Sequence, residues 1–243
     1  RTQRRVAARA AGGGSMCVRA GNNAERLSTV EQKASPAKAA LLVVDVQNDF
    51  VADGGFFDRI GAEVKTVQQR IPNLVRLIDK ARSAGVPVIF VQAIYDPQYL
   101  SAPMRERNSR RAVELPRCLT GSWGADFYMV RPAPGEPVVI KHRYSAMLDT
   151  ELDGLLKSRG IRSLLLTGVA TDTCVESTGR DAYFIDYYVS IVSDCCGAAS
   201  ESDHTGALKR FDRDYGAIAT SDEVIGAWES LGVLAPQPPQ PAR

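Results

Sequence analysis

Ala39-Ala40-Leu41-Leu42-Val43-Val44-Asp45 is a run of six apolar residues that ends on a carboxylate. A strand with one wet face alternates apolar with polar residues. A run without alternation suits a strand covered on both faces, as in the interior of a parallel sheet. Downstream, Val64, Val67, Ile71, Leu74, Val75 and Ile78 recur at helical spacing, with Gly85 placed as a C-terminal cap. Further apolar runs predict strands over 86–94, 137–141, 163–167, 188–193 and 217–220. Between them the spacing predicts helices. One runs through Leu152, Leu155 and Leu156 behind a Thr150/Asp153 capping box; another, over about 172–186, faces inward through Val175, Thr178, Ala182 and Ile185. A third covers 201–213, and Ser221 is expected to cap the last. Parallel neighbours need crossover connections, so this alternation specifies an α/β fold: a six-stranded parallel sheet between two layers of helices.

At 243 residues, 44% hydrophobic and 24% charged, the chain has room for one sizeable domain of ordinary globular composition. Its expected bounds are 39–234. Residues 1–38 read as a disordered or targeting-like tail, and 235–243 as a flexible Pro-rich end. The net charge of +2 is uneven, because residues 1–40 hold eight Lys/Arg against two Glu and leave the remainder at −4. A mildly acidic body argues against a nucleic-acid partner, and no run approaches the ~18 apolar residues of a membrane span. Five cysteines, Cys17, Cys118, Cys174, Cys195 and Cys196, form no dense disulfide framework. The expected compartment is reducing: intracellular and cytoplasmic, with organellar targeting by the tail as the alternative.

In open α/β sheets ligands bind beyond the carboxyl ends of the strands. Asp45 ends the first strand, Gln92 lies near the end of the second, Lys141 ends the third, and Cys174 follows the fourth at a helix start. A thiol beside a cation and helix-terminal amides ionises more easily, so Lys141 is expected to lower the pKa of Cys174. Asp45, raised by burial and lowered by Lys141, could carry the proton that an amide leaving group needs. Taken singly, each has a plainer reading: Cys174 as a small buried hydrophobe, Asp45 as a loop cap, Lys141 as a solvated charge.

The segments Leu42-Val-Val-Asp45-Val-Gln47-Asn-Asp-Phe50 and Thr167-Gly-Val-Ala170-Thr-Asp-Thr-Cys174-Val, with Lys141 between them, resemble the isochorismatase-like cysteine hydrolases. The resemblance implies a Rossmann-like three-layer fold, a catalytic triad of Asp45, Lys141 and Cys174, and a cis peptide at Val169-Ala170. It also implies an oxyanion hole from the N–H groups of Ala170 and Cys174. The thiol favours an amide substrate. Residues 91–99 lack the histidines of metal-dependent relatives, and only His142 and His204 occur in the chain, so no metal or other cofactor is expected. Lys141-His-Arg-Tyr144-Ser-Ala and Cys174-Val-Glu-Ser-Thr-Gly-Arg-Asp look most like ureidoacrylate amidohydrolases and biuret hydrolases.

By position, Phe50, Gln92, Tyr95 and Tyr144 are the substrate-pocket candidates, with Trp123 closing one side. Arg105, Arg107, Arg110 and Arg111 form either a solvated helix face or a source of one carboxylate clamp. Cys195 and Cys196 should point to opposite faces of a strand, as core residues. The expected partner is a small ureido or amide compound, handled by a homo-oligomer. The alternatives are hydrolysis of another small amide, such as a carbamoyl amino acid, and a catalytically silent binding module.

Overall fold

The computed structural model describes residues 25–234. Six strands, β1 (Ala39–Val44), β2 (Val88–Ala93), β3 (Val138–Lys141), β4 (Ser163–Val169), β5 (Tyr188–Gly197) and β6 (Ala217–Ala219), form one sheet. Their order is β3-β2-β1-β4-β5-β6 and every pairing is parallel. The helices are α1 (Val30–Ala34), α2 (Asn48–Val51), α3 (Phe56–Arg59), α4 (Val64–Gln68), α5 (Ile71–Ser83), α6 (Ala102–Arg110), α7 (Leu152–Ser158), α8 (Glu176–Phe184), α9 (Glu201–Asp214) and α10 (Ser221–Ser230).

The unbroken apolar run of β1 is explained by what covers it, since all six of its residues are buried. Leu41 and Val43 join a core with Leu74, Leu77 and Ile78 of α5 and Trp228 of α10. Leu42 and Val44 point the other way, into a core with Leu152 and Leu156 of α7 and Phe211 of α9. Cys195 and Cys196 divide in the same way, one into each core, as expected of neighbours on a strand.

Several local features depart from the sequence reading. The helix expected through 64–78 is two, and Pro72, which lacks an N–H, sits in the first turn of the second, where none is needed. Gly85 takes the left-handed conformation (φ 74°) expected of a cap. Thr150 accepts from the Leu152 N–H at 3.2 Å, but no reciprocal box forms there. The box lies at Thr220 and Glu223, one residue before the expected Ser221, whose hydroxyl is instead turned to Asp194. Ile185 follows α8 and is exposed. Residues 25–38, assigned from sequence to the tail, pack on the domain: Leu27 and Ala34 are buried, and the Trp228 indole donates to Ala34 O at 2.8 Å. The remaining tail expectations, for 1–24 and 235–243, lie outside the described residues.

Candidate active site

The strand order reverses between β1 and β4, which opens a crevice beyond their carboxyl ends. Asp45 leaves β1 there with φ 51°, a conformation uncommon outside glycine and one that Asp tolerates better than most residues. Across from it, Gly168 (φ 111°) brings β4 so near β1 that a Cβ would lie 1.9 Å from Val44 O. After the cis peptide Val169-Ala170, the chain makes one wide turn, Thr171–Val175, that carries Cys174 before α8 begins. The buried His204 of α9 fixes this turn through a 2.8 Å hydrogen bond between its Nδ1 and Thr171 Oγ1.

Lys141 reaches the crevice from the end of β3. Its Nζ lies 2.7 Å from Asp45 Oδ2 and 3.3 Å from Cys174 Sγ, and it donates to Arg143 O at 2.9 Å. Asp45 and Lys141 are wholly buried and Cys174 nearly so. Apart from this ion pair, neither Asp45 oxygen meets a well-oriented donor. Burial raises the Asp45 carboxyl above its ordinary value, with Lys141 pulling it back. Burial also tends to lower Lys141, but the negative groups around it prevail and hold it well above the usual lysine range. For Cys174 the direction reverses the expectation from sequence: burial outweighs Lys141 and pushes the thiol up to about 12. At neutral pH the resting arrangement therefore sets a lysine ammonium beside a protonated thiol.

A cavity of about 450 Å³ opens onto Cys174. Phe50, Tyr95 and Tyr144, the pocket candidates from sequence, line it together with Phe56, Phe57 and Thr173. The Ala170 carbonyl accepts from the Thr173 and Val175 N–H groups at 3.1 Å each and passes over the intervening N–H of Cys174.

The family model described as the isochorismatase domain matches residues 39–223. The chain belongs to the isochorismatase family. It is 36% identical over 200 residues to ureidoacrylate amidohydrolase RutB of Enterobacter sp. (strain 638), covering 76% of this chain and 87% of that one. Its likeness to the RutB protein of Yersinia enterocolitica is 38% over 178 residues, 68% and 77% of the two chains. Among solved structures, a cysteine hydrolase from Pseudomonas syringae pv. phaseolicola 1448A has a TM-score of 0.70 at 25% identity, covering 80% and 94%. N-carbamoylsarcosine amidase from Thermoplasma acidophilum has 0.64 at 28%, covering 76% and 97%. With these relatives, this isochorismatase-family chain is an enzyme that hydrolyses amides outside peptide bonds.

Two pocket expectations do not hold for this family member. Gln92 lies off the cavity because its Nε2 donates to Ala125 O at 2.8 Å, tying β2 to the following loop. Trp123 is 54% exposed and also stands apart from the cavity. Of the arginine cluster, Arg107 and Arg111 line the cavity, whereas Arg110 pairs with Glu106 at 2.9 Å and Arg105 is spent on Leu100 O.

Sequence reasoning missed the residues that hold the crevice in shape. Gln47 is fully buried: its Oε1 accepts from the Ala93 N–H at 2.8 Å, and its Nε2 donates to Ala93 O and Ala125 O. Asp49 accepts from the N–H groups of Phe56, at 3.0 Å, and Cys118, at 2.6 Å, which draws two separate loops onto one wall. Gly124 makes room, since a Cβ there would sit 2.1 Å from Asp49 Oδ2. The available signal was polarity: Gln47, Asn48 and Asp49 interrupt an otherwise apolar region directly after Asp45. Arg117, also missed, lies on the same wall.

Proposed function

We propose that the protein cleaves the C–N bond of a small ureido or carbamoyl amide, with Cys174 as nucleophile and a thioester-type intermediate on its sulfur. The observation that carries this reading is the contact of one buried ammonium, Lys141, with both the Asp45 carboxylate at 2.7 Å and the Cys174 sulfur at 3.3 Å.

In the proposed reaction the thiol proton passes to Asp45 as sulfur attacks the carbonyl carbon. A carboxylate whose pKa is raised by burial is a stronger base for that step. The Ala170 and Cys174 N–H groups receive the oxygen as it becomes an anion. When the C–N bond breaks, the nitrogen takes the proton from Asp45 and leaves as ammonia or an amine. Water then loses a proton to Asp45 and attacks the acyl carbon; the sulfur departs and recovers that proton. The sum is one amide and one water converted to one acid and one amine. Throughout, Lys141 keeps its charge, orienting Asp45 and stabilising the transient thiolate. Phe50, Tyr95 and Tyr144 supply flat walls for a planar ureido group.

The test is ammonia release from ureidoacrylate, biuret and carbamoyl amino acids by the wild type and by Cys174→Ala. The wild type is expected to turn over at least one, and the variant to lose about 10⁴-fold with its circular dichroism intact. Full turnover by Cys174→Ala would remove the thiol from the mechanism, and ammonia from none of the substrates would move the substrate to another class of small amide.

A further inference from the structure

The wall of the cavity built by the Asp49 clasp carries a charge that the proposed reaction does not use. Arg117 is 8% exposed and lines the cavity. Its guanidinium lies 4.9 Å from the Phe56 ring centroid and 5.1 Å from that of Tyr95. Among the described residues it has no carboxylate within ion-pair distance and no hydrogen-bond acceptor, and its only neighbours of note are those two rings. Buried charges are paired, because ring faces offset only part of the cost of removing an ion from water. Tyr95, on the same wall, adds a buried hydroxyl that is also without a partner.

Both groups stand close to the triad, since Lys141 Nζ is 5.9 Å from the same Tyr95 ring that Arg117 covers. Arg107 and Arg111 place more positive charge around the cavity. Acidic residues line it too. Asp203 is engaged by the Ser200 hydroxyl at 2.7 Å, while Asp172, beside Thr173 in the wide turn, keeps a buried Oδ1 without a donor. The cavity thus offers an unanswered cation and hydroxyl on one wall, and an unanswered acceptor by the turn that carries Cys174.

Resting on the ureido reading above, we infer that Arg117 is the specificity residue for the substrate's far end, and that the substrate is a short ureido acid whose carboxylate Arg117 grips with help from the Tyr95 hydroxyl. The ureido group then lies over Cys174, with Asp172 Oδ1 free to accept one of its N–H groups. A planar guanidinium suits this task because its two parallel N–H groups match the two oxygens of a carboxylate. The Phe56 and Tyr95 rings, both about 5 Å from the guanidinium carbon, help to hold it in place before the substrate arrives.

The experiment compares kcat/KM, by ammonia release, for 3-ureidopropionate and for n-propylurea, which keeps the same carbon chain but has a methyl group in place of the carboxylate. The wild type is expected to prefer the acid, and Arg117→Met to cut that preference by about tenfold to a hundredfold. A structural role alone would slow both substrates together. An unchanged ratio in Arg117→Met overturns the assignment, as does a wild type that prefers propylurea. If Arg117→Met does not fold, Arg117→Lys decides: it keeps the charge but loses the fork, so the preference should still fall by about fivefold or more, and a wild-type ratio overturns the inference. If neither compound yields ammonia, it is the ureido reading that fails for these two substrates, not the placement of Arg117. Calorimetric titration of the wild type with 3-ureidopropionate then decides for Arg117: binding that Arg117→Met abolishes supports the assignment, and no binding overturns it.

Discussion

Within the crevice, the balance between Asp45 and Lys141 governs both stability and reactivity. Lys141→Met leaves a carboxylate wholly buried without its counter-ion, a change that costs about 3–5 kcal/mol in comparable buried pairs. The loss, measured by urea denaturation, should shrink as pH falls. Burial already raises the Asp45 pKa, so its stabilising form in that variant is the protonated one, present in acid and lost as pH rises through the folded value. Adding Asp45→Asn should recover part of the loss at neutral pH. The thiol gives a second reading of the same balance. With Cys174 pushed up to about 12, its alkylation by iodoacetamide should climb about tenfold per pH unit across the neutral range. A rate that levels off below pH 7 would mean that Lys141, not burial, sets the thiol.

At the scale of elements, the crevice depends on how close β1 and β4 approach. Gly168→Ala would set a Cβ 1.9 Å from Val44 O at a φ that side chains rarely adopt. The strands must separate, so a loss of at least ~2 kcal/mol is expected together with loss of ammonia release. Thermal melts and turnover report the two effects, and a variant with wild-type values in both would show that the crevice tolerates a wider gap. The six strands, their parallel arrangement and the placing of Asp45, Lys141 and Cys174 at strand ends were legible because apolar runs, periodicity and the carboxyl-end rule are local signals, whereas the order of the strands within the sheet was not read. The wall of the cavity was not legible in that way. Gln92 and Trp123 stood at suitable positions in sequence, but the loop that follows β2 turns the first toward Ala125 and leaves the second in solvent. Asp49 joins residues 56 and 118 through hydrogen bonds to backbone N–H groups, which no pattern of side-chain types records. The Cys174 pKa was misjudged for a related reason: the cation was visible in the sequence, but the degree of burial was not.

For the whole molecule, the two cores on either side of the sheet carry the stability, and the segment before β1 belongs to one of them. Trp228 is wholly buried and donates to Ala34 O, linking α10 to α1. Trp228→Ala should cost about 3–5 kcal/mol in chemical denaturation, while a loss under ~1 kcal/mol would mean that the 25–38 segment is only loosely held. Lys141 comes from the outermost strand, β3, whereas Asp45 and Cys174 follow the central pair β1 and β4. Uniting all three takes four strands, β1 through β4, which span the sheet from its edge to its middle. The Cys174 sulfur therefore meets its ammonium and carboxylate neighbours only once those four strands have come together, so the contact that defines the crevice is a property of the assembled sheet and of no single hairpin or helix within it.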